Sequence, residues 1–236
     1  MIHLQKDEYA EAHKHLLEAE ETAKKADPDR LTHFLYFQLG STAERAANYK
    51  DAEKYFRKSI EIKPDYATAL NYLGYMWADR NENLAEAKKF IGLALKEQPD
   101  NPAFLDSMAW VIYREGDAKE ALRWQLKALK HAKEDDPELF LHLGEIYHAL
   151  KNDAKAREYL NKALAIKDVD ADIKAKIKAK ITNLENLKKV AQFTPEGYVE
   201  LDRTRLIASD GSSGAAVRGR PARFERPINW SHPAYA

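Results

Sequence analysis

One spacing constrains this chain more than any other: a small residue recurs every 34 or 35 positions. Leu39-Gly40, Leu73-Gly74, Met108-Ala109 and Leu143-Gly144 follow one another at steps of 34, 35 and 35 residues. Twelve or thirteen residues after each small residue stands an alanine: Ala52, Ala87, Ala121 and Ala156. Four residues beyond comes a large apolar side chain in three cases, Phe56, Ile91 and Leu160, while Gln125 breaks the rule. Three further on are Ser59, Ala94, Ala128 and Ala163, and two of the periods close with Pro64 and Pro99. A period of this length marks a stack of supersecondary units rather than a single globular core.

The physical reading is a repeated helix hairpin. The small residues Gly40, Gly74, Ala109 and Gly144 let the two helices of a unit approach, with the following alanines as their counterparts on the second helix. Tyr36, Leu70, Leu105 and Phe140 recur as large residues that fill the space between units. A proline at a unit's end cannot continue a helix and forces the turn. One hairpin cannot bury its apolar face alone, whereas stacked hairpins can.

This pattern resembles the tetratricopeptide repeat (TPR) family, matched in four consecutive units over about Leu31 to Lys167. The stretches Leu70–Tyr75, Asn83–Ala87 and Phe104–Trp110 look like those of bacterial members. Gln125, and the last two units without a closing proline, depart from the family pattern. The resemblance implies an all-α fold: a right-handed α-solenoid of four TPR-like helix hairpins, flanked by an N-terminal extra helix, a C-terminal capping helix and an irregular tail. The corresponding division is 1–30 for the N-terminal helix, 31–169 for the four units (31–66, 67–101, 102–136 and 137–169), 170–190 for the cap and 191–236 for the tail. Lys6 to Ala26 reads as a helix with the spacing of a second repeat helix whose first helix is missing, as expected of a fragment of a longer protein or of an N-terminal cap. Asp170 to Val190 carries Ile173, Ile177, Ile181, Leu184 and Leu187 on one stripe and lysines on its other face, which reads as a solubilising cap.

Composition narrows the function classes. The 236 residues carry 38 basic and 38 acidic side chains, so a general electrostatic role on nucleic acid is disfavoured. No apolar run approaches the roughly 18 residues of a membrane span, and no N-terminal apolar stretch reads as a signal peptide. These features leave the compartment open between the cytoplasm and, were an N-terminal part missing, the periplasm or cell envelope. Without cysteine there is no thiol nucleophile, disulfide or cysteine-ligated metal. The eight histidines fall in no metal-binding spacing and read as surface or groove residues. No nucleophile elbow or phosphate loop is recognisable. The expectation is a protein that is not an enzyme and needs no cofactor or metal.

By resemblance, the first helix of each hairpin lines a concave side. Counted from each small residue, the groove positions are Phe34, Phe37, Ser41, Glu44 and Arg45; Thr68, Asn71, Tyr75 and Asp79; Asp106, Trp110, Tyr113 and Arg114; and Leu141, Glu145 and His148. Such an aromatic-rich groove with polar anchors suits an extended or helical peptide. The competing reading is that some of these aromatics pack only against the next hairpin. A clamp for acidic chaperone tails would need basic residues at Phe37 and Ala103 and an asparagine at Ser41, and none is present. The expected partner is a protein or peptide. Self-association, or service as an accessory domain of a larger enzyme or envelope assembly, are the alternatives.

The tail differs in kind. All 25 lysines precede residue 191, whereas 191–236 holds six arginines, four glycines and four prolines. Three readings stand: an irregular extension, an internal ligand docking Phe224, Trp230 and Tyr235 into the groove, or a DNA contact through the AT-hook-like Arg218-Gly-Arg-Pro221.

Overall fold

The computed structural model describes the backbone of residues 2–192 and the side chains of residues 8–186. Among these, helices follow one another without a strand: α1 (Ile2–Ala26), α2 (His33–Arg45), α3 (Tyr49–Ile62), α4 (Ala67–Arg80), α5 (Leu84–Glu97), α6 (Pro102–Arg114), α7 (Ala118–His131), α8 (Pro137–Ala149), α9 (Asp153–Ala165) and α10 (Ala171–Gln192). Four hairpins, α2/α3, α4/α5, α6/α7 and α8/α9, stack into an α-solenoid. The three readings of the tail, and the Leu187 side chain, lie outside the described residues.

Local chemistry sets where the helices begin. Asn48, Asp117 and Asn152 each accept from the N–H three residues on, at 3.4, 3.0 and 3.2 Å, and so open the second helices α3, α7 and α9. Asn101 and Asp136 cap α6 and α8 just ahead of Pro102 and Pro137, whose missing N–H costs nothing in a first turn. Each cap contributes about 1 kcal/mol. The hairpin turns share one device, a left-handed residue at Ala47, Asn81, Gly116 and Lys151, with φ of 63, 59, 98 and 61°. Only the third is the glycine that such a φ favours. Pro64 and Pro99 stand two residues beyond the ends of α3 and α5, where they stop the helices.

The small residues act as expected in three hairpins, with one refinement. A methyl group placed on Gly40 would lie 2.6 Å from the Phe56 ring, one on Gly74 2.7 Å from Ile91, and one on Gly144 2.6 Å from Leu160. The glycine therefore seats the large residue of the second helix; the recurring alanine presents its backbone, with the Ala87 carbonyl 2.9 Å from that hypothetical methyl on Gly74. Between units, Tyr36, Leu70, Leu105 and Phe140 are all buried. Leu70 clusters with Ala94 of its own hairpin and Phe104 of the next, and Leu105 with Ala128 of its own and Leu139 of the next, so both clusters span a hairpin boundary.

First helices touch their neighbours directly, α4 on α6 and α6 on α8, whereas second helices make no comparable contact with one another among the described residues. The first helices thus form the inner layer and the second helices the outer one. α1 covers the open end of α2: Leu16 and Leu17 pack with Tyr36, Leu39 and Tyr55, and His13 meets the Thr42 hydroxyl at 3.0 Å. At the other end α10 buries Ile173, Ile177 and Leu184 against α8 and α9.

The lysine-bearing side of α10 departs from a purely solubilising face. Lys180 forms a 3.1 Å ion pair with Glu145 of α8. Lys176 is half-buried within electrostatic reach of Asp79, Glu138 and Glu145, and burial lowers its pKa below the ordinary lysine value. The stripe spacing that puts the isoleucines on α9 also turns these two lysines, four residues apart, towards the inner layer.

Candidate functional site

The inner faces of α2, α4, α6 and α8 carry the predicted groove positions, and their burial is uneven. Phe34 is 53% exposed. Phe37 is buried three residues further on, edge-on to Tyr66 and Tyr72 at 5.6 and 5.0 Å, and so joins the packing between the first two hairpins. Arg45 points towards α1, donating to the Tyr9 hydroxyl at 3.2 Å with its guanidinium 5.0 Å from that ring. His148 reaches sideways across the turn to Asp153 at 2.8 Å. Leu141 is buried beside Phe140. Phe34, Arg45 and His148 thus stand apart from the others.

Tyr75, Asp106, Trp110, Tyr113 and Arg114 gather around a residue that sequence reasoning placed on the surface or in the groove. His142 of α8 is 1% exposed. Trp110 stacks on its ring at 4.3 Å, and Tyr75 approaches at 6.3 Å. Its Nδ1 meets Asp106 Oδ1 at 2.8 Å, and Gln125 Nε2 donates to the same oxygen at 2.5 Å and to the Leu139 carbonyl at 3.2 Å. Asp106, Gln125 and His142 therefore form a buried polar network joining α6, α7 and α8. Burial pushes the His142 pKa down, but the charge and hydrogen bond of Asp106 outweigh it and hold the imidazole above its ordinary value. Tyr113 and Arg114 flank Trp110, Tyr113 stacked on it at 5.1 Å and Arg114 5.6 Å from its ring.

Acidic groups gather along the same inner layer. Glu44 is 6% exposed, and burial raises its carboxyl to about 8 although Arg45 opposes the shift. Glu138 on α8 is raised well above the carboxylate range by burial, with Asp136 and Asp106 adding to it. Asp79 is raised by burial too, against the pull of Lys176. Several buried polar atoms here have no hydrogen-bond partner among the described residues: Glu44 Oε2, Asn71 Oδ1, Asp106 Oδ2, Trp110 Nε1, Glu138 Oε1 and His142 Nε2. Glu44, Asn71, Tyr72, Tyr75 and Met76 line a recess between α2 and α4. Among the described residues no cluster of histidine and carboxylate groups is arranged to hold a metal ion, and no helix is long and apolar enough to cross a membrane.

Sequence reasoning missed His142, Gln125, Glu138 and Lys176. A signal was present for two of them. Gln125 stood where the repeat demanded an apolar residue, and His142 lies one helical turn from Glu138 on a helix whose other residues are mostly apolar. Nothing in the α10 sequence distinguished Lys176 from the lysines that face solvent.

Comparison with known proteins agrees with this architecture. The tetratricopeptide repeat family model matches residues 35–66 and 137–170, which hold the first and fourth hairpins. A TPR repeat-containing protein of Pseudomonas aeruginosa is 41% identical over 111 residues, covering 47% of this chain and 18% of that protein. The protein O-mannosyl-transferase Tmtc3 of Drosophila melanogaster is 23% identical over 163 residues, covering 69% of this chain and 17% of that protein. The chain thus spans less than a fifth of the length of these curated relatives. A thermophilic TPR protein of Thermus thermophilus superposes with a TM-score of 0.59 at 19% identity, over 77% of this chain and 97% of its own, a likeness of fold.

Proposed function

From the premise that this chain is a tetratricopeptide-repeat protein, we propose that it binds an extended peptide segment of a partner protein along the inner layer of first helices. Repeats of this family are protein–protein interaction modules. The observation that carries the reading is the set of buried polar atoms on successive inner helices that have no hydrogen-bond partner among the described residues: Glu44 Oε2 on α2, Asn71 Oδ1 on α4, Trp110 Nε1 on α6 and Glu138 Oε1 on α8. Buried polar groups are normally satisfied, and leaving one unmade costs about 1–3 kcal/mol. A row of them spaced along a solenoid fits a chain whose own N–H and C=O groups recur at regular intervals. These atoms are closed to solvent, so a segment that bonds to them first moves the side chains that cover them.

The choice of variants follows from burial. Trp110 is 4% exposed and stacked on His142, so its truncation opens the core as well as the groove. Asn71→Ala with Tyr113→Ala is the cleaner pair, because it removes one unpartnered acceptor and one half-buried ring. The full chain, used as bait in lysate of its source, should retain a partner that the double variant loses while circular dichroism stays unchanged. A partner held equally by both proteins places binding elsewhere than the inner layer.

A further inference from the structure

The capping helix α10 reaches further into the molecule than a cap needs to. Ile173, Ile177 and Leu184 already close the end of the fourth hairpin by packing with α8 and α9. From the same helix Lys180 crosses to Glu145 of α8 at 3.1 Å, and Lys176 acts on Asp79 of α4, in the second hairpin. Its charge is the foremost one on Asp79, ahead of those of His142 and Arg114. Two lysines one helical turn apart thus face carboxylates of two different hairpins. The apolar and charged halves of α10 contribute differently. The isoleucine stripe gains by leaving water. The charged half takes an ammonium and a carboxyl out of water together: burial lowers the pKa of Lys176 and raises that of Asp79, although each charge opposes the other's shift. An ion pair that loses its water in this way returns little net stability. The stripe therefore holds α10 in place, and its lysines leave the inner layer at small cost.

Resting on the peptide-binding reading above, we propose that α10 is a strap over the docking surface, and that the partner's extended segment carries two basic side chains that replace Lys176 at Asp79 and Lys180 at Glu145. The spacing fits. Residues one turn apart on a helix stand about 5–6 Å from each other, and alternate residues of an extended segment, which share one face, stand about 6.6 Å apart. Lysines two positions apart in the partner therefore match what α10 presents. Lys176 also acts on Glu44 and Glu138, whose oxygens are closed to solvent, so the strap belongs to the cover that a bound segment moves. The strap makes the surface selective. A segment without the two charges leaves both carboxylates unpaired, and every segment binds more weakly by the fraction of chains in which the strap is closed.

The test uses the full chain and two fluorescein-labelled nine-residue peptides of serine and threonine, one with lysine at its fourth and sixth positions and one with glutamine there. Fluorescence polarisation should show the lysine peptide binding at least tenfold tighter than the glutamine peptide. Lys176→Gln with Lys180→Gln loosens the strap and should tighten the lysine peptide at least a further fivefold. Lys50→Gln with Lys119→Gln, an equal loss of charge at exposed positions of the outer helices α3 and α7, should leave its affinity within twofold. Asp79→Asn with Glu145→Gln should abolish the preference for lysine. Thermal melts establish that the variants are folded, and hydrogen exchange on the unaltered chain needs none of them: with saturating lysine peptide, the amides of 173–184 should exchange at least fivefold faster. A lysine peptide that binds no better than the glutamine one, equal tightening by the two pairs of lysine changes, or α10 amides that keep their exchange rate under bound peptide each overturn the strap. If the strap falls in this way while Asn71→Ala with Tyr113→Ala still loses its captured partner, the peptide-binding reading stands without it.

Discussion

In the hairpin α4/α5, Gly74 lies against Ile91; at the corresponding place in α6/α7 stand Ala109 and Gln125. The first pair is a steric fit in which glycine gives up a side chain so that an apolar one can sit on its backbone. The second is a polar arrangement in which the large side chain is fully buried and turned into a hydrogen-bond donor for Asp106 and the Leu139 carbonyl. Both hairpins pair helices of 13 or 14 residues across a three-residue turn. The repeat therefore fixes a slot rather than a chemistry, and the exceptional slot is where the solenoid is joined to a buried charge. Through Asp106 the exception reaches His142, so hairpins three and four are coupled by a fully buried polar network, where hairpins one and two share the more exposed Trp77–Glu53 and Arg57–Glu86 contacts.

The contrast breaks hardest at the glycine. Gly74→Val forces a branched side chain against Ile91 and the Ala87 carbonyl and should destabilise the chain by about 3 kcal/mol or more, read as a lower midpoint in urea. Ala109→Gly, which restores the family residue in the odd hairpin, should cost only about 1 kcal/mol, the helix penalty of glycine. Equal losses at the two sites would show that no distinct steric slot exists at Gly74.

Next in size is the polar network. Asp106→Leu leaves Gln125 and His142 without their shared acceptor and should cost roughly 2–4 kcal/mol. Combining Asp106→Leu, Gln125→Leu and Ala109→Gly rewrites the third hairpin in the chemistry of the second. That triple variant should recover a large part of the loss, because apolar groups of similar size replace a buried network more cheaply than half a network survives. A triple variant no better than Asp106→Leu sinks this account of the exception.

The same network predicts how stability moves with pH. The raised pKa of His142 means that its contribution is complete below the unfolded value of 6.5 and is lost as pH rises through the higher folded value. Glu44, raised from 4.5 to about 8, acts in the same direction: the unfolded chain gives up this proton near 4.5 while the fold keeps it, so its contribution declines as pH rises until the folded group ionises at about 8. The melting temperature should therefore fall between pH 6 and 9, and Glu44→Gln should flatten part of that fall and raise the melting temperature at pH 8. A melting temperature rising across that range would contradict the sign. The smallest effects belong to the turns. Gly116→Ala should lose about 1 kcal/mol and Lys151→Gly should gain a fraction of that, since both sites hold a left-handed backbone that glycine adopts without strain.

Much of the architecture was legible because stacking turns a local need into a periodic signal. A slot that must hold Phe56, Ile91 or Leu160 demands glycine opposite, and the demand recurs once per hairpin, so Gly40, Gly74 and Gly144 announce the fold from their spacing. The capping signals Asn48, Asp117 and Asn152 are equally local. The candidate site was legible in part. Counting from the small residues placed Asn71, Tyr75, Asp106, Trp110 and Tyr113 on the inner helices. That count does not say which of them face a ligand and which face one another. Trp110 was expected as a contact, yet its ring lies on His142; Arg45 was expected in the groove, yet it holds α1.

What the sequence determined by itself is the repeat: its period, the order of helices, and the residues that sit on each helix's inner face. These depend on neighbours a few positions away, within reach of helical periodicity. Only the tertiary structure decided the electrostatics. Asp106, Gln125 and His142 come from three helices, and Lys176 reaches the inner layer from a fourth, so their meeting depends on how hairpins rotate against one another and not on any spacing along the chain. The shifts that rotation creates, a Glu44 carboxyl raised to about 8 by loss of water and a His142 imidazole raised by the buried Asp106 against its own loss of water, exist only once the solenoid has closed over those groups.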